Sequence, residues 1–475
     1  MGKTVRSCVA VSISVICLAV LANTVDAKKK PNSRRSKSRV VRTVLPNILV
    51  VPKTNVSTVN VQSRVQASDE VGQSGAPSTP KGRPEVGAPP PSIVVPPIQA
   101  GQAIISEFRL RGPNGDQDEF VEIYNNTDSP ISVNALDGSA GWSVVISNGA
   151  ITGAIFTIPN GTLIPARGHL LGANTNGYSL ANYPSGNQPT GGTFATAQPD
   201  RTWDFDVPDG SGVGLFATTS GTNFTPTTRL DAAGFTTSPA LYKEGNGIAS
   251  IVTANLDHTY YRDLRHGTPS DTGNNAADFL LVGTALGIQV SRLGAPGPEN
   301  LAAPIVKNST IATSLVDPLV ASTSPPNRTR SFTIEDPNTS LFGTMVIRRK
   351  FTNNTGQQVQ RLRFRVLEIT SLGTPGSECG GAPCADLRAL TSSNTQVGIT
   401  QGFPVVVQGI RLEQPPDQPA GGAMNSSLSA DFITLVTPLP NGNSVYINFK
   451  LGVMRTGSFR FFVNIEAANG FAPPP

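Results

Sequence analysis

The feature that most limits what this chain can fold into is a short alternation cut by turn residues. Runs at 103–110, 119–125, 142–147, 154–158, 168–172, 213–218 and 248–253 alternate apolar and polar side chains, and clusters of Gly, Pro and Asn separate them. A period of two sends successive side chains to opposite faces, which is how a half-buried strand of a sandwich is written. No long stretch carries the helical period. The 47 Gly and 40 Pro, with only 15% charged residues, favour turn-rich β structure and unstructured connectors. At 475 residues and 38% apolar, the chain can bury at least two cores.

The pattern restarts after Ala302. RSFTIEDPN, GTMVIRRKFTNN, TGQQVQRLRFRVLEIT, FPVVVQGIRLE, DFITLVTPL, GNSVYINFKLGVM and GSFRFFVNIEA read as strands parted by turns. The expected fold class is therefore all-β, with two β-sandwich domains at 101–300 and 301–475. In the second, Arg348 and Arg349 join Arg361, Arg363 and Arg365 on what reads as a hairpin, the last three projecting from one face. A solvated sheet face is the expectation there, with an anion-binding patch as the alternative.

Residues 1–27 carry Lys3 and Arg6, an apolar run from Val9 to Leu21, and the small-residue ending Val25-Asp26-Ala27. This is the pattern of a signal peptide cleaved after Ala27. The apolar run is short of the ~20 residues that a spanning helix needs. The expectation is a secreted or cell-surface protein with no transmembrane span once the signal is removed.

Residues 28–100 read as a disordered arm. It opens with Lys28, Lys29, Lys30, Arg34, Arg35, Lys37, Arg39 and Arg42 and no acid, then continues rich in Pro, Val, Ser and Thr, without the apolar density that would offset ordering. Setting aside the leader and these eight cations leaves 27 Lys/Arg against 31 Asp/Glu, so a basic arm is tethered to a mildly acidic body. A coil of ~70 residues spans roughly 50 Å. Such an arm suits an anionic surface or an acidic envelope polymer. It lacks the interleaved aromatics of base stacking, and no sequence-specific nucleic-acid partner is expected.

GPNGDQDEFVEIYNNTDSP, residues 112–130, raises a calcium question that its spacing answers. Counted from Asp116, the sixth and twelfth positions are Val121 and Thr127, where an EF-hand loop needs Gly and Glu. Two alternating runs joined by Pro-Asn-Gly-Asp are instead a β-hairpin with its acids at a solvent-facing turn. At this point the residues carry a likeness. IISEFRLRGPNGDQDEFVEIYNNTDSPISV, Trp142 in GWSVVIS, FTIPNGTLIPARGHLLG, DVPDGSGVGLF, DTGNNAADFLLV and LGAPGPEN together resemble the lamin tail domain in its bacterial secreted form, over about 101–300. The resemblance implies an immunoglobulin-like β-sandwich that contacts partners and is not an enzyme. The coiled-coil rod of the nuclear lamins has no counterpart here, so filament assembly does not carry over.

Candidate chemistry is sparse. Asp271, Asn274, Asn275 and Asp278 offer hard oxygen ligands of the type calcium prefers, against the plainer reading of Asx turns that hydrogen-bond their own backbone. His258 and His266 lie eight apart around Arg262 and Asp263, with no acid placed as a third ligand, and His169 opens a strand. GVGLFA, residues 212–217, imitates a dinucleotide fingerprint but runs from a loop into a strand. Cys379 and Cys384 suit a local disulfide, worth roughly 2 kcal/mol for so short a loop. The segment 173–205 reads as an inserted loop, and the sequons at Asn125 and Asn353 as polar turns. Together these point to an exported, non-catalytic structural or binding protein with no cofactor. The alternative is an accessory module, stabilised by calcium, working with a secreted hydrolase.

Overall fold

The computed structural model describes residues 97–183, 197–285, 292–371, 383–414 and 416–469. The leader with Ala27, the eight cations of the arm, and Cys379 lie outside the described residues. The described chain is nearly all strand, in four principal sheets.

Two sheets form the first half. The larger orders Arg292–Leu293, Phe279–Gly283, His258–Arg262, Ala103–Arg109, Phe120–Asn125, His169–Asn174 and Arg201–Trp203. The smaller orders Arg229–Ala233, Gly212–Phe216, Gly141–Ser147 and Thr152–Pro159. Ala103–Arg109 and Phe120–Asn125 are the expected antiparallel hairpin, with Phe108 opposite Val121. The alternation sends Val121 and Ile123 into the core between the sheets, beside Phe108, Val144, Ile146 and a fully buried Trp142. The Trp142 ring fills the inter-sheet space, and its Nε1 donates to the Asn134 carbonyl at 3.0 Å.

Residues 248–253 are not a strand. Ile248 and Val252 still reach the core, but as part of an irregular segment held by Tyr260, whose hydroxyl donates to Ser250 O at 2.9 Å and accepts from Val252 N at 2.8 Å. Nor are the hairpin acids at a solvent-facing turn. Asp116 stays outside, while Asp118 and Glu119 are fully buried, because the chain folds back to place them against Arg109 and Trp203. Part of the segment 173–205 is ordered as well: Leu180, Tyr183 and Ala197 cover Phe120 and Leu171.

The second half repeats the plan. One sheet orders Ile305–Val306, Phe461–Ala468, Arg361–Ile369, Ser427–Ser429 and Arg411–Leu412. The other is built on Ile311–Leu315, Thr344–Asn353, Ser444–Arg455, Val405–Gly409 and Thr395–Val397, with Arg328–Ser331 and Asp386–Leu390 alongside. Thr344–Asn353 and Arg361–Ile369 do not make a hairpin. They pair with Ser444–Arg455 and Phe461–Ala468 respectively, so the link between them crosses from one sheet to the other. Phe351, Phe364 and Phe449 meet in the core they enclose, with ring centroids 4.8–6.0 Å apart. Residues 431–439 are irregular rather than a strand, though Ile433 and Leu439 pack into that core.

Both halves end a strand on the same side-chain-built turn, which is what the two sequons encode. Asn125 Oδ1 accepts from Thr127 N and Oγ1 at 2.9 and 2.8 Å, and its Nδ2 donates to Ser129 O at 2.8 Å. Asn353 repeats the set with Thr355 at 3.0 and 2.8 Å and Gln357 O at 2.8 Å. Each asparagine is fully buried, so its amide serves the turn and has no room for a glycan.

Candidate functional site

The densest cluster of buried charge lies where the two halves meet. Glu107 and Glu122 stand on the larger first-half sheet, on the face away from its core, and Arg363, Arg365 and Glu466 stand on the facing second-half sheet. Residues 293–301 run between them. Gly294 bridges to Met424, and Ala295 N donates to Met424 O at 3.0 Å. Tyr261, Val282 and Leu293 of the first half join the second core, and both halves belong to one compact unit.

The expected solvated arginine face is therefore interior. Arg363 and Arg365 retain 1% and 3% of their exposure, because the second sheet packs its arginine face onto the first sandwich rather than onto water. Buried guanidinium groups need partners, and these have them. Glu466 takes Arg363 Nε at 2.7 Å and Arg365 Nε at 2.8 Å. Glu299 pairs with Arg363, and with Arg365 Nη2 at 3.2 Å. Arg365 Nη1 also donates to Gly297 O at 3.1 Å and Asn425 Oδ1 at 2.8 Å. Asn425 Nδ2 completes the tie, donating to Glu107 Oε2 at 3.2 Å.

His169 sits at the mouth of the cleft. Its Nδ1 is 3.0 Å from Glu122 Oε1, within ion-pair reach though off the line of a hydrogen bond, and its Nε2 is 2.9 Å from Glu299 Oε2. The two carboxylates thus occupy opposite ring nitrogens. The imidazole bridges two acids, and one ligand atom from each of Glu122, His169 and Glu299 lies within 4.8 Å of the others, a spacing compatible with a metal ion. The empty space here is about 420 Å³, including the open mouth. Burial and the neighbouring Glu122 push the Glu107 carboxyl up to about 7, against the pull of Arg365.

The calcium candidates are drawn around a cation. Arg262 is fully buried and donates to both oxygens of Asp231 at 2.7 Å. Asp271 and Asp278 each lie 3.4 Å from its Nη1. Asp278 also receives Thr272 N at 2.9 Å, in the loop-to-helix turn of Asn275–Asp278. Asn275 faces elsewhere: its Oδ1 accepts from Gly234 N and Glu244 N, and its Nδ2 donates to Ala232 O. Asn274 Oδ1 accepts from Asn246 N at 3.2 Å. The four residues thus divide between two jobs. A different trio, Asp231, Glu244 and Asp271, brings carboxylate oxygens within 4.8 Å of one another. Burial and the Asp231 charge push Glu244 up to about 8.

The other histidines are apart. His258 is buried with Nδ1 2.9 Å from Leu256 O, and burial lowers it to about 4; His266 is exposed. GVGLFA forms the strand Gly212–Phe216, as its flanks indicate. Cys384 is disulfide-bonded. Sequence reasoning missed Glu107, Glu299, Asn425 and Glu466. Glu107 and Glu466 showed only a charged side chain inside an alternating run, Glu299 and Asn425 lie in irregular segments with no local signal, and the partners lie as far as 318 positions away.

No protein-family model matches the chain, and no curated protein matches it.

Proposed function

We propose that this is an exported, non-catalytic protein whose double sandwich has a structural or binding role at the cell surface or in the extracellular matrix. The observation that carries this is how the junction spends its charge. Glu299 and Glu466 pair with Arg363 and Arg365, Glu299 also reaches His169, and Asn425 donates to Glu107, and these contacts weld the halves. Groups that elsewhere would bind or turn over a substrate here hold two sandwiches in one block, as a spacer or docking body requires. The likeness of 101–300 to the secreted lamin tail domain supports the same role, and the basic run 28–42 gives such a body an electrostatic tether.

Co-sedimentation with isolated envelopes over a salt series tests it, comparing chain 28–475 with chain 97–475, which begins where the described fold begins. Binding by the longer chain alone, released by salt, is the expected outcome. Equal binding moves the contact to the sandwich loops, and binding by neither chain removes the envelope role.

A calcium-stabilised accessory module is a second reading, favoured by the carboxylates of Asp231, Glu244 and Asp271. Calorimetry with calcium and with chelator separates it from the first. An unchanged Tm removes it.

A further inference from the structure

In the second half, the edge of the strand Thr344–Asn353 is lined by two short strands, Ile311–Leu315 and Arg328–Ser331. Arg328 lies opposite Ile347, and Arg349 lies two positions further along the same strand. Residues opposite one another share a face, as do positions i and i+2, so both guanidinium groups project on the face of Ile347. That face is the core side, beside Phe351. Two cations are thus held near one another at the rim of an apolar core.

They hold no acid. Arg349 is 7% exposed, yet among the described residues its one side-chain bond is from Nη1 to the Arg348 carbonyl, at 2.7 Å. Arg328 has no side-chain partner among the described residues. The nearby carboxylates are engaged elsewhere: Asp317 accepts from Thr400 N and Oγ1 at 2.6 and 2.7 Å, and Glu335 pairs with Lys450. Burial, with the Arg328 charge added, lowers Arg349 to about 10. Every other arginine buried as deeply in the described residues has a carboxylate, a side-chain amide or a cage of carbonyls. Two unopposed guanidinium groups on one face are the arrangement that a planar or tetrahedral oxyanion completes, since each offers a fork of N–H donors.

We propose that Arg328 and Arg349 form an oxyanion-binding site, taking a phosphate, sulfate or carboxylate group either as a free ion or as part of an acidic polymer. The site stands independently of the envelope role, although a polymer ligand would supply that role with a second contact.

Isothermal titration of the chain 28–475 with inorganic phosphate, and separately with poly(glycerol phosphate), tests it against Arg328→Gln/Arg349→Met. The arm is the same in both proteins, so its contribution cancels in the comparison. Saturable binding weakened about ten- to hundred-fold in the variant is expected, the loss of charge-assisted hydrogen bonds. Phosphate binding alone identifies a free ion as the ligand, and polymer binding lost with the arginines identifies a group on a polymer. If the double variant does not fold, Arg328→Gln alone, at a half-exposed edge position, reads the same loss. Equal affinities in parent and variant, or no saturable binding of either probe by the parent, overturns the proposal.

Discussion

Two regions of the molecule, the first core around Arg109 and Arg262 and the second-half edge at Arg349, bury arginine on different terms. In the first, Arg109 is enclosed by Asp118, Asp257 and Ser179, and Arg262 by Asp231, Asp271 and Asp278, each guanidinium lying over a phenylalanine ring. In the second, Arg349 is almost as deeply placed with a lone carbonyl for company. A caged cation is part of the fold, because removing it strands its acids in the interior. An uncaged one leaves nothing behind when it goes. Stability measurements therefore separate the two kinds.

Arg262→Met against Arg349→Met is the sharpest contrast. The first leaves Asp231 and Asp278 buried without their cation and should cost ~3–5 kcal/mol, whereas the second should cost under ~1 kcal/mol and can stabilise. Urea unfolding of each variant reads the difference as a shift in midpoint. A large loss in Arg349→Met would mean that its counter-charge lies in the fold after all, and the contrast between the two sites would fall.

How much of this was legible follows from what period two encodes. It places Val121, Ile123 and Trp142 correctly because a strand's own alternation names its buried face. It does not say what covers the other face. Arg363 therefore reads as solvent-facing, although it is covered by the opposite half. Irregular segments mislead in the other direction. Ile248, Val252 and Ile433 are apolar and buried, so they imitate strands, but Gly247 and the tight loops beside them leave no ladder to join. In DTGNNAAD the oxygen ligands were visible and their partner was not, since Arg262 reaches Asp231 from a different strand.

Proton linkage extends the contrast. Glu119 receives Asn174 Nδ2, Trp203 Nε1 and Val207 N at 2.7–2.9 Å but no cation, and burial raises it from 4.5 to about 8. The folded state thus keeps this proton after the unfolded chain has released it. Stability from Glu119 is whole below about pH 4.5 and is lost as pH rises towards 8, at up to ~1.4 kcal/mol per unit. Glu466 runs the opposite way: burial works to raise it, but Arg363 and Arg365 outweigh burial and hold it low, so its contribution is lost in acid. Thermal unfolding from pH 5 to 8 should show a Tm that falls less steeply in Glu119→Gln than in the parent, with a constant offset from the donor the glutamine cannot satisfy. An identical pH slope in both proteins would remove Glu119 as its source.

Effects smaller than the loss of Arg262 should come from the feature the halves share. Asn125 and Asn353 build the same turn, and alanine at either removes the acceptor for a Thr N–H and Oγ1 and the donor to a carbonyl four residues on. Each substitution should cost ~1–3 kcal/mol, the penalty of buried groups left unpaired. Asn125 should cost slightly more, because its Nδ2 also reaches Ile164 O and Pro165 O, whereas Asn353 Nδ2 adds only Leu439 O. The two sites share no partner, so the double variant should equal the sum to within ~0.5 kcal/mol. A marked excess over the sum would show that loosening one turn is felt in the other half, with the Glu299–Arg363–Glu466 chain as the physical link between them. Charge reversal at Glu299 in the double-variant background would then be the way to cut that link, and additivity should return if the junction carries the coupling.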